Sequence, residues 1–186
     1  IEGSVNLALE VARFMVPALT AFTAFQAVIN LFREQTQWLH LWRLRDHIIV
    51  CGLGRKGGYL VDQLLEKGLR VVTIEKNLEP ATADEYRRKG VIVIEGDAAD
   101  PDTLESARLS HASHLICLLG NDQQNLAIAL QAHQLGKRSH KKTLTCILHL
   151  VSEDLLNLVK KSELNIDKED HFVLEIFNNF IAYKIG

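Results

Sequence analysis

Apolar and polar residues are distributed in two different ways along this chain. From Phe14 to Phe32, 19 consecutive residues carry no charge, and 14 of them are apolar. A helix of that length, at about 1.5 Å per residue, reaches almost across a hydrocarbon layer of roughly 30 Å. From His47 onward, short apolar runs alternate instead with amphipathic helical patterns. The pattern therefore predicts one long apolar helix followed by an α/β domain.

The alternating region predicts a parallel sheet. Near-continuous apolar strands separated by helices are typical of a parallel sheet covered on both faces. The predicted strands are His47–Cys51, Arg70–Glu75, Val91–Glu95, His114–Leu119, Thr143–Leu148 and His171–Phe177. The predicted helices lie near Gly57–Lys67, Glu79–Lys89, Pro101–Arg108, Asp122–Leu135 and Ser152–Ser162. Six strands with five crossovers predict a Rossmann-like, doubly wound sheet in the order 3-2-1-4-5-6, preceded by the long helix.

The predicted segments are an apolar helix over residues 1–33, a linker over 34–46 and the α/β domain over 47–186. Basic and aromatic residues follow the apolar helix, namely Arg33, Trp38, Trp42, Arg43 and Arg45. Positive charge and indoles beyond an apolar helix mark the cytoplasmic boundary of a membrane. Pro17, Gln26 and Asn30 interrupt the apolar run, so a soluble helix packed on a neighbour stays open as the alternative.

Composition narrows the functional classes. A formal net charge of -2 gives no general reason to expect a nucleic-acid partner. The three cysteines lie in apolar strand-like runs without the spacing of a zinc or redox motif, which predicts buried, reduced thiols. The chain begins without Met and without the pattern of a signal peptide, and we expect it to be a fragment of a longer protein.

A glycine motif marks the first turn of the domain. Gly52, Gly54 and Gly57 follow a strand and open a helix, and Glu75 ends the next strand. Gly52 permits a tight turn, Gly54 allows backbone to approach a pyrophosphate, and Gly57 allows close helix packing. Free N–H groups and the positive helix end then hold the phosphates. A turn that serves packing alone is the alternative.

The acidic residue selects the class of nucleotide. The Glu75 carboxylate can accept hydrogen bonds from ribose hydroxyls and would repel a 2′-phosphate. We therefore predict NAD(H) as the ligand, with AMP, ADP or ATP as alternatives, and disfavour NADP.

Further candidate cofactor-binding residues surround this motif. They are Arg55 and Lys56 in the glycine loop, Lys76 after the second strand, Asp97 and Ala98 after the third, and Asn121 after the fourth. All lie at carboxyl ends of strands, where doubly wound sheets bind ligands. The alternatives are a solvated loop arginine for Arg55, a plain turn for Asp97, and helix capping for Asn121 and Asp122.

The sequence contains no recognisable motif for catalysis of hydride transfer. A dehydrogenase needs a proton donor beside the nicotinamide, yet Tyr86 and Lys89 miss the Tyr-x-x-x-Lys spacing by one residue. The eight histidines form no tight ligand set, so no metal site is predicted. We expect no second, substrate-binding domain within residues 1–186. The residues favour a nucleotide sensor over an enzyme.

Several segments together resemble the TrkA-N family, the nucleotide-binding half of the regulator-of-potassium-conductance (RCK) domain. They are "HIIVCGLGRKGGYLVDQLLEKG", "VVTIEKN", "VIVIEGDAADPDTLESARL", "ASHLICLLGNDQQNLAIALQAHQL" and "VLEIFNNFIAYKI", within about His47 to Lys184. The resemblance implies a module that binds NAD(H) or adenine nucleotides, assembles as a dimer or larger ring, and gates potassium channels or transporters. It covers no second ligand-binding subdomain and no potassium-filter sequence.

The resemblance also implies roles for residues. Phosphates would be held by Gly52, Gly54, Arg55 and Gly57, the ribose by Glu75, and the adenosine side by Asp97 and Ala98. The first helix would be the last membrane helix of a channel-type protein, attached to its own pore or transporter domain. The Arg33–Arg45 linker and the nucleotide-binding domain would then lie on the cytoplasmic side of the cell membrane.

Three functions remain in competition from the sequence. The first is a regulatory nucleotide-binding module of a membrane cation channel or transporter, with potassium as the expected ion. The second is a fragment of an NAD-dependent oxidoreductase, which hydride turnover would support. The third is a soluble, nucleotide-stabilised assembly domain, which solubility without detergent would favour.

Overall fold

The computed structural model describes residues 11–28, 43–139, 143–161 and 171–177. The chain divides into two compact units, Ile1–Trp42 and Arg43–Gly186. Residues 1–10 and 29–33 of the predicted apolar helix, most of the predicted linker and residues 178–186 lie outside the described residues.

The first unit contains helix α1, Val11–Val28, which is long and apolar enough to cross a membrane. None of it is buried. The Thr20 hydroxyl donates to the carbonyls of Val16 at 3.1 Å and Pro17 at 2.9 Å. The Thr23 hydroxyl donates to the Thr20 carbonyl at 3.0 Å. Since both hydroxyls are satisfied inside the helix, they add no unpaired donor to an apolar environment.

The second unit is built on a six-stranded parallel sheet with the order β3-β2-β1-β4-β5-β6, so the predicted order is confirmed. The strands are β1 His47–Cys51, β2 Val71–Glu75, β3 Ile92–Glu95, β4 Ala112–Cys117, β5 Leu144–His149 and β6 Phe172–Phe177. The helices are α2 Arg55–Glu66, α3 Pro80–Arg88, α4 Pro101–Ser106, α5 Asp122–Ser139 and α6 Glu153–Lys161, with a 3₁₀ turn at Leu109–His111.

Some element ends differ from the prediction because local bonds or backbone conformation decide them. β4 covers Ala112–Cys117 and not His114–Leu119, since the Leu119 N–H donates to Oδ1 of Asn125 at 2.9 Å. α4 ends before Arg108, which takes a left-handed φ of 56° that a right-handed helix cannot continue.

Two helices are longer than predicted. α2 begins at Arg55 rather than Gly57, because the N–H of Gly58 already donates to the Gly54 carbonyl at 2.8 Å. α5 continues to Ser139 rather than Leu135, and it passes through Gly136, a residue type that often ends a helix. The remaining predicted ends agree within one residue, except that Ser162 lies outside the described residues.

The connections place helices on both faces of the sheet. Because the strand order reverses between β3 and β4, right-handed crossovers put α2 and α3 on one face and α4, α5 and α6 on the other. On the α2 face, Val61 and Tyr86 pack with a core cluster that includes Val50 and Val93. The carboxyl ends of all six strands meet at one edge, and the reversal point lies between β1 and β4.

Candidate functional site

The turn between β1 and α2 consists of Gly52, Leu53 and Gly54. Gly52 takes a φ of 99°, in the left-handed region that favours glycine. A Cβ on Gly57 would overlap the backbone carbonyl oxygen of Gly52, so the helix approaches the strand more closely than any side chain allows. A Cβ on Gly54 would meet no atom of the described residues within 4 Å. Gly54 therefore leaves open space above the turn.

The amino end of α2 is electropositive. Gly54 is the N-cap, no side chain of the described residues caps the helix, and the first turn contains no acidic residue. Arg55 and Lys56 occupy the first two helical positions, and both are exposed. Amino-terminal N–H groups and the helix dipole attract anions. With the open space above Gly54, the turn has the shape and charge that a phosphate group requires.

Glu75 ends β2 beside this turn. Its Oε2 accepts a hydrogen bond from the Leu53 N–H at 2.7 Å, and its Oε1 accepts one from the Asn77 N–H at 3.1 Å. The carboxylate therefore lies against the glycine turn and helps to hold its backbone. A carboxylate has about four lone-pair sites, so ribose hydroxyls can add to the two bonds already present.

Lys76 and Asp97 pair with each other, with 2.8 Å between Nζ and Oδ2. Oδ1 of Asp97 accepts from the Ala99 N–H at 2.9 Å. The hydrogen bond from Lys76, and then that from Ala99, lowers the pKa of the Asp97 carboxyl; the same pairing raises the pKa of Lys76. The Asp97 carbonyl also accepts from the Asp100 N–H at 3.0 Å, so this residue builds the turn before α4. Ala98 is buried in that turn.

At the amino end of α5, the side chains of Asn121 and Asp122 accept hydrogen bonds from backbone N–H groups. Oδ1 of Asn121 accepts from the N–H groups two and three residues later, at 2.8 Å and 3.2 Å, which is an N-cap. Oδ2 of Asp122 accepts from the N–H groups of Val151 and Ser152, at 2.8 Å and 2.6 Å. The capping interpretation of Asn121 therefore describes its geometry, and its contact with a ligand stays a prediction.

Asn125, which sequence reasoning missed, organises the loops after β4 and β5. It is fully buried on α5. Its Oδ1 accepts from the Leu119 N–H at 2.9 Å, and its Nδ2 donates to the carbonyls of Leu119 and His149, both at 3.0 Å. The available signal in the sequence was a polar residue one turn inside a helix, on the face that the apolar positions predict to be buried.

Lys56 makes a second contact that the sequence did not reveal. Its Nζ donates to Nε2 of His149 at 3.2 Å. His149 ends β5, is 4% exposed, and has its ring centroid 6.0 Å from that of Phe177. A lysine ammonium is only a donor, so Nε2 is the acceptor and the proton of the neutral ring lies on Nδ1. The two residues are 93 positions apart, and no local pattern connects them.

The described residues contain no group of three or more His, Cys, Asp or Glu side chains that could hold a metal ion. Cys51, Cys117 and Cys146 are buried and free of disulfides, as predicted. Hydrogen bonding with Cys146 and then Cys51, together with burial, raises the pKa of the Cys117 thiol. A thiol that stays protonated is a poor nucleophile.

The TrkA-N domain family matches residues 48–168 of the chain. The "Probable potassium channel protein 2" of Methanocaldococcus jannaschii is 32% identical over 95 residues, which cover 50% of this chain and 27% of that protein. The "Trk system potassium uptake protein TrkA homolog" of Pyrococcus abyssi is 30% identical over 143 residues, which cover 73% of this chain and 60% of that protein. The chain thus spans only part of the length of these curated relatives.

Solved structures share the fold. The TrkA-N domain of the inner membrane protein ybaL from Escherichia coli aligns with a TM-score of 0.58 at 22% identity, over 77% of this chain and 96% of that one. The GsuK channel bound to NAD aligns with a TM-score of 0.52 at 18% identity, over 72% of this chain and 22% of that one. The Kef CTD of Shewanella denitrificans in its AMP-bound form aligns with a TM-score of 0.50 at 17% identity, over 75% of this chain and 77% of that one.

Proposed function

We propose that this chain, which belongs to the TrkA-N family, is a regulatory module that binds NAD(H) or an adenine nucleotide and controls a membrane potassium channel or transporter. The observation that carries the proposal is the uncapped amino end of α2, with open space at Gly54 and the Glu75 carboxylate against the turn. The names of the relatives support potassium transport, and solved structures of this fold hold NAD and AMP.

The phosphate side of the ligand is assigned to the glycine turn. Gly54 admits the phosphate, the N–H groups at the start of α2 donate to it, and the exposed Arg55 adds a charged donor. Glu75 accepts from the ribose hydroxyls. Because a 2′-phosphate would bring like charge to this carboxylate, NADP binds more weakly than NAD.

The adenosine side is assigned to the ends of β2 and β3. Lys76 and Asp97 lie there as an exposed ion pair, and Ala98 is buried behind them. The pairing fixes both side chains at the rim of the site. The main chain supports the same rim, since the Gly96 N–H donates to the Glu75 carbonyl at 3.1 Å.

Calorimetry with the 186-residue chain in detergent tests this assignment. NAD, NADH, NADP, AMP and ATP are titrated into the wild-type chain and into Gly54→Val. A side chain at Gly54 meets open space, so the variant folds, and the valine then occupies the volume that the phosphate needs. We expect binding to be lost in Gly54→Val and kept in Ala127→Val, a control at an exposed position of α5. Unchanged binding in Gly54→Val would rule out this site.

We infer a regulatory rather than a catalytic role. A ligand regulates only if it binds two arrangements of an assembly with different affinity, and a coupling of roughly 1–3 kcal/mol suffices. We therefore propose that the chain forms a dimer or larger homo-oligomer whose geometry responds to nucleotide. Small-angle scattering with and without each nucleotide measures this response, and a strict monomer indifferent to all of them would refute it.

We propose that α1 is a membrane segment whose carboxyl end faces the cytoplasm. Its apolar side chains are exposed, and Arg43 and Arg45 follow it in the sequence, at the start of the second unit. Removal of residues 1–42 should leave a folded, nucleotide-binding domain that is soluble without detergent, because the compact unit begins at Arg43. Circular dichroism and calorimetry check the outcome. Loss of folding on truncation would place the helix in the soluble core.

A further inference from the structure

The contact between Lys56 and His149 crosses the sheet at the point where the strand order reverses. Lys56 lies on α2 directly after β1, and His149 ends β5. β4 lies between these two strands, and neighbouring strands are about 4.8 Å apart. The lysine therefore bridges the carboxyl end of β4 to reach the imidazole.

The bridge lies on the α2 face. Ile147 packs against the core cluster that contains Val50 and Val61, so the side chain of Ile147 is on the α2 side of the sheet. Side chains two positions apart in a strand share a face, which puts the His149 ring on the same side. Its low exposure is consistent with Lys56 and Phe177 covering it.

A doubly wound sheet holds a dinucleotide across this reversal point, with one nucleotide on each half of the sheet. A mononucleotide needs only the half formed by β1, β2 and β3, where the glycine turn and Glu75 lie. The second nucleoside of NAD(H) needs the half formed by β4 and β5. That half is the one that the Lys56–His149 contact crosses.

We propose that the Lys56–His149 contact determines nucleotide specificity: it closes the β4–β5 half against the second nucleoside of a dinucleotide and leaves the β1–β3 half open to a mononucleotide. This inference rests on the proposed nucleotide-binding function. AMP binds with the contact intact, whereas NAD(H) binds only after Lys56 leaves His149. The two ligands therefore leave the end of β5 in different states.

The contact has a measurable effect on affinity. NAD(H) must break the hydrogen bond that the charged Lys56 donates to the His149 ring, which weakens binding by about tenfold. Part of this loss is recovered when the freed ammonium pairs with the pyrophosphate. AMP breaks no such bond.

The experiment measures NADH and AMP affinities by calorimetry for the wild-type chain, His149→Phe, Lys56→Met and the double variant. Phenylalanine keeps an aromatic ring and the backbone carbonyl that Asn125 binds, and it cannot accept from Lys56. We expect His149→Phe to bind NADH about five- to tenfold more tightly and AMP within twofold of wild type. In the Lys56→Met background, His149→Phe should change the ratio of the two affinities less than twofold, since the contact is already absent.

Lys67→Met, at the exposed position directly after α2, is the matched control and should leave the ratio unchanged. An NADH-to-AMP ratio that stays within twofold of wild type in His149→Phe would overturn the inference. So would an equal effect of His149→Phe with and without Lys56. If wild type binds neither nucleotide, the proposed function itself fails, and that outcome is distinct from a ratio that does not move.

Discussion

The two halves of the sheet begin a helix in opposite ways. After β1, α2 starts at a glycine, without a side-chain cap among the described residues and with Arg55 and Lys56 in its first turn. After β4, α5 starts with Asn121 as its cap and Asp122 bound to the loop that follows β5. Each of these two helices follows the strand next to the reversal point in its half of the sheet.

The difference shows how one architecture leaves the amino end of a helix available in one half and caps it with the chain's own side chains in the other. The N–H groups of α2 remain available because glycine offers no side chain to occupy them. Two N–H groups at the start of α5 donate to Asn121, and the negative charge of Asp122 compensates the positive amino end of that helix. An anion is therefore attracted to the first half, while side chains of the chain itself hold the second half together.

The largest expected effect comes from disrupting the first half at Gly57. A Cβ there would overlap the Gly52 carbonyl oxygen, so Gly57→Ala should lower the free energy of unfolding by about 3 kcal/mol. Alanine inside a helix normally stabilises by about 0.5–1 kcal/mol relative to glycine, so the sign of the change isolates the clash. Urea denaturation measures it. Gly54→Ala, with its Cβ in open space, is the control and should change stability by less than about 0.5 kcal/mol.

The second half should be disrupted by Asn125→Leu. Leucine removes two part-buried hydrogen bonds to the Leu119 backbone and one buried bond to the His149 carbonyl, at a cost of about 2–3 kcal/mol. AMP affinity should stay within twofold of wild type wherever the variant is folded, because the mononucleotide half is intact. Gln124→Leu, at the exposed neighbouring position, is the control for urea denaturation. If Asn125→Leu abolishes AMP binding while folded, the halves are not separable.

Glu75→Ala sharpens the comparison at the ligand itself. Losing the carboxylate should weaken NAD binding by on the order of 1–3 kcal/mol, the range for hydrogen bonds to a charged group. It should also narrow the preference for NAD over NADP, because the repulsion of a 2′-phosphate is gone. Calorimetry with both dinucleotides measures the ratio, with Glu66→Ala at the exposed end of α2 as the control. An unaltered ratio would show that Glu75 does not recognise the ribose.

The smallest expected effect concerns the ion pair at the rim of the first half. The hydrogen bond from Lys76 holds the pKa of Asp97 below its ordinary value of 3.8 in the folded chain. The stabilisation from this pairing is therefore complete above about pH 4 and is lost as the pH falls through the lowered pKa. Lys76→Met should raise the Asp97 pKa toward 3.8, with Ala99 still donating. A carboxyl-carbon NMR titration measures it, and an identical pKa in both proteins would mean that the pairing is absent in solution.

The strand order and most element positions were predictable from sequence because they depend on apolar runs that must be buried. Ile49, Val50 and Cys51 are fully buried in the first strand, as a sheet covered on both faces requires. The end of β4 was not predictable, because a hydrogen bond to the Asn125 side chain stops the ladder before Leu119. Nor was the left-handed backbone at Arg108, since nothing local demands it from a non-glycine residue.

The candidate site also contains features that the sequence predicts and features that only the folded structure reveals. Gly52, Gly54 and Gly57 were identifiable because a turn, an open approach and a close packing each need a residue without a side chain. The Lys56–His149 contact depends on the arrangement of β1, β4 and β5 in the sheet, and it becomes visible only after the chain has folded. Ligand contacts of the predicted residues remain predictions.

The three cysteines give the chain a built-in reporter of its own opening. Cys51, Cys117 and Cys146 lie on three adjacent strands, and each is 0% exposed. A thiol reagent such as a disulfide dye can react with them only when the sheet opens, and the raised pKa of Cys117 further limits attack in the closed state. The labelling rate under native conditions therefore measures the free energy of that opening. Any nucleotide that binds the closed form should slow the dye reaction in proportion to its occupancy, so stability and ligand binding can be followed without an engineered reporter group.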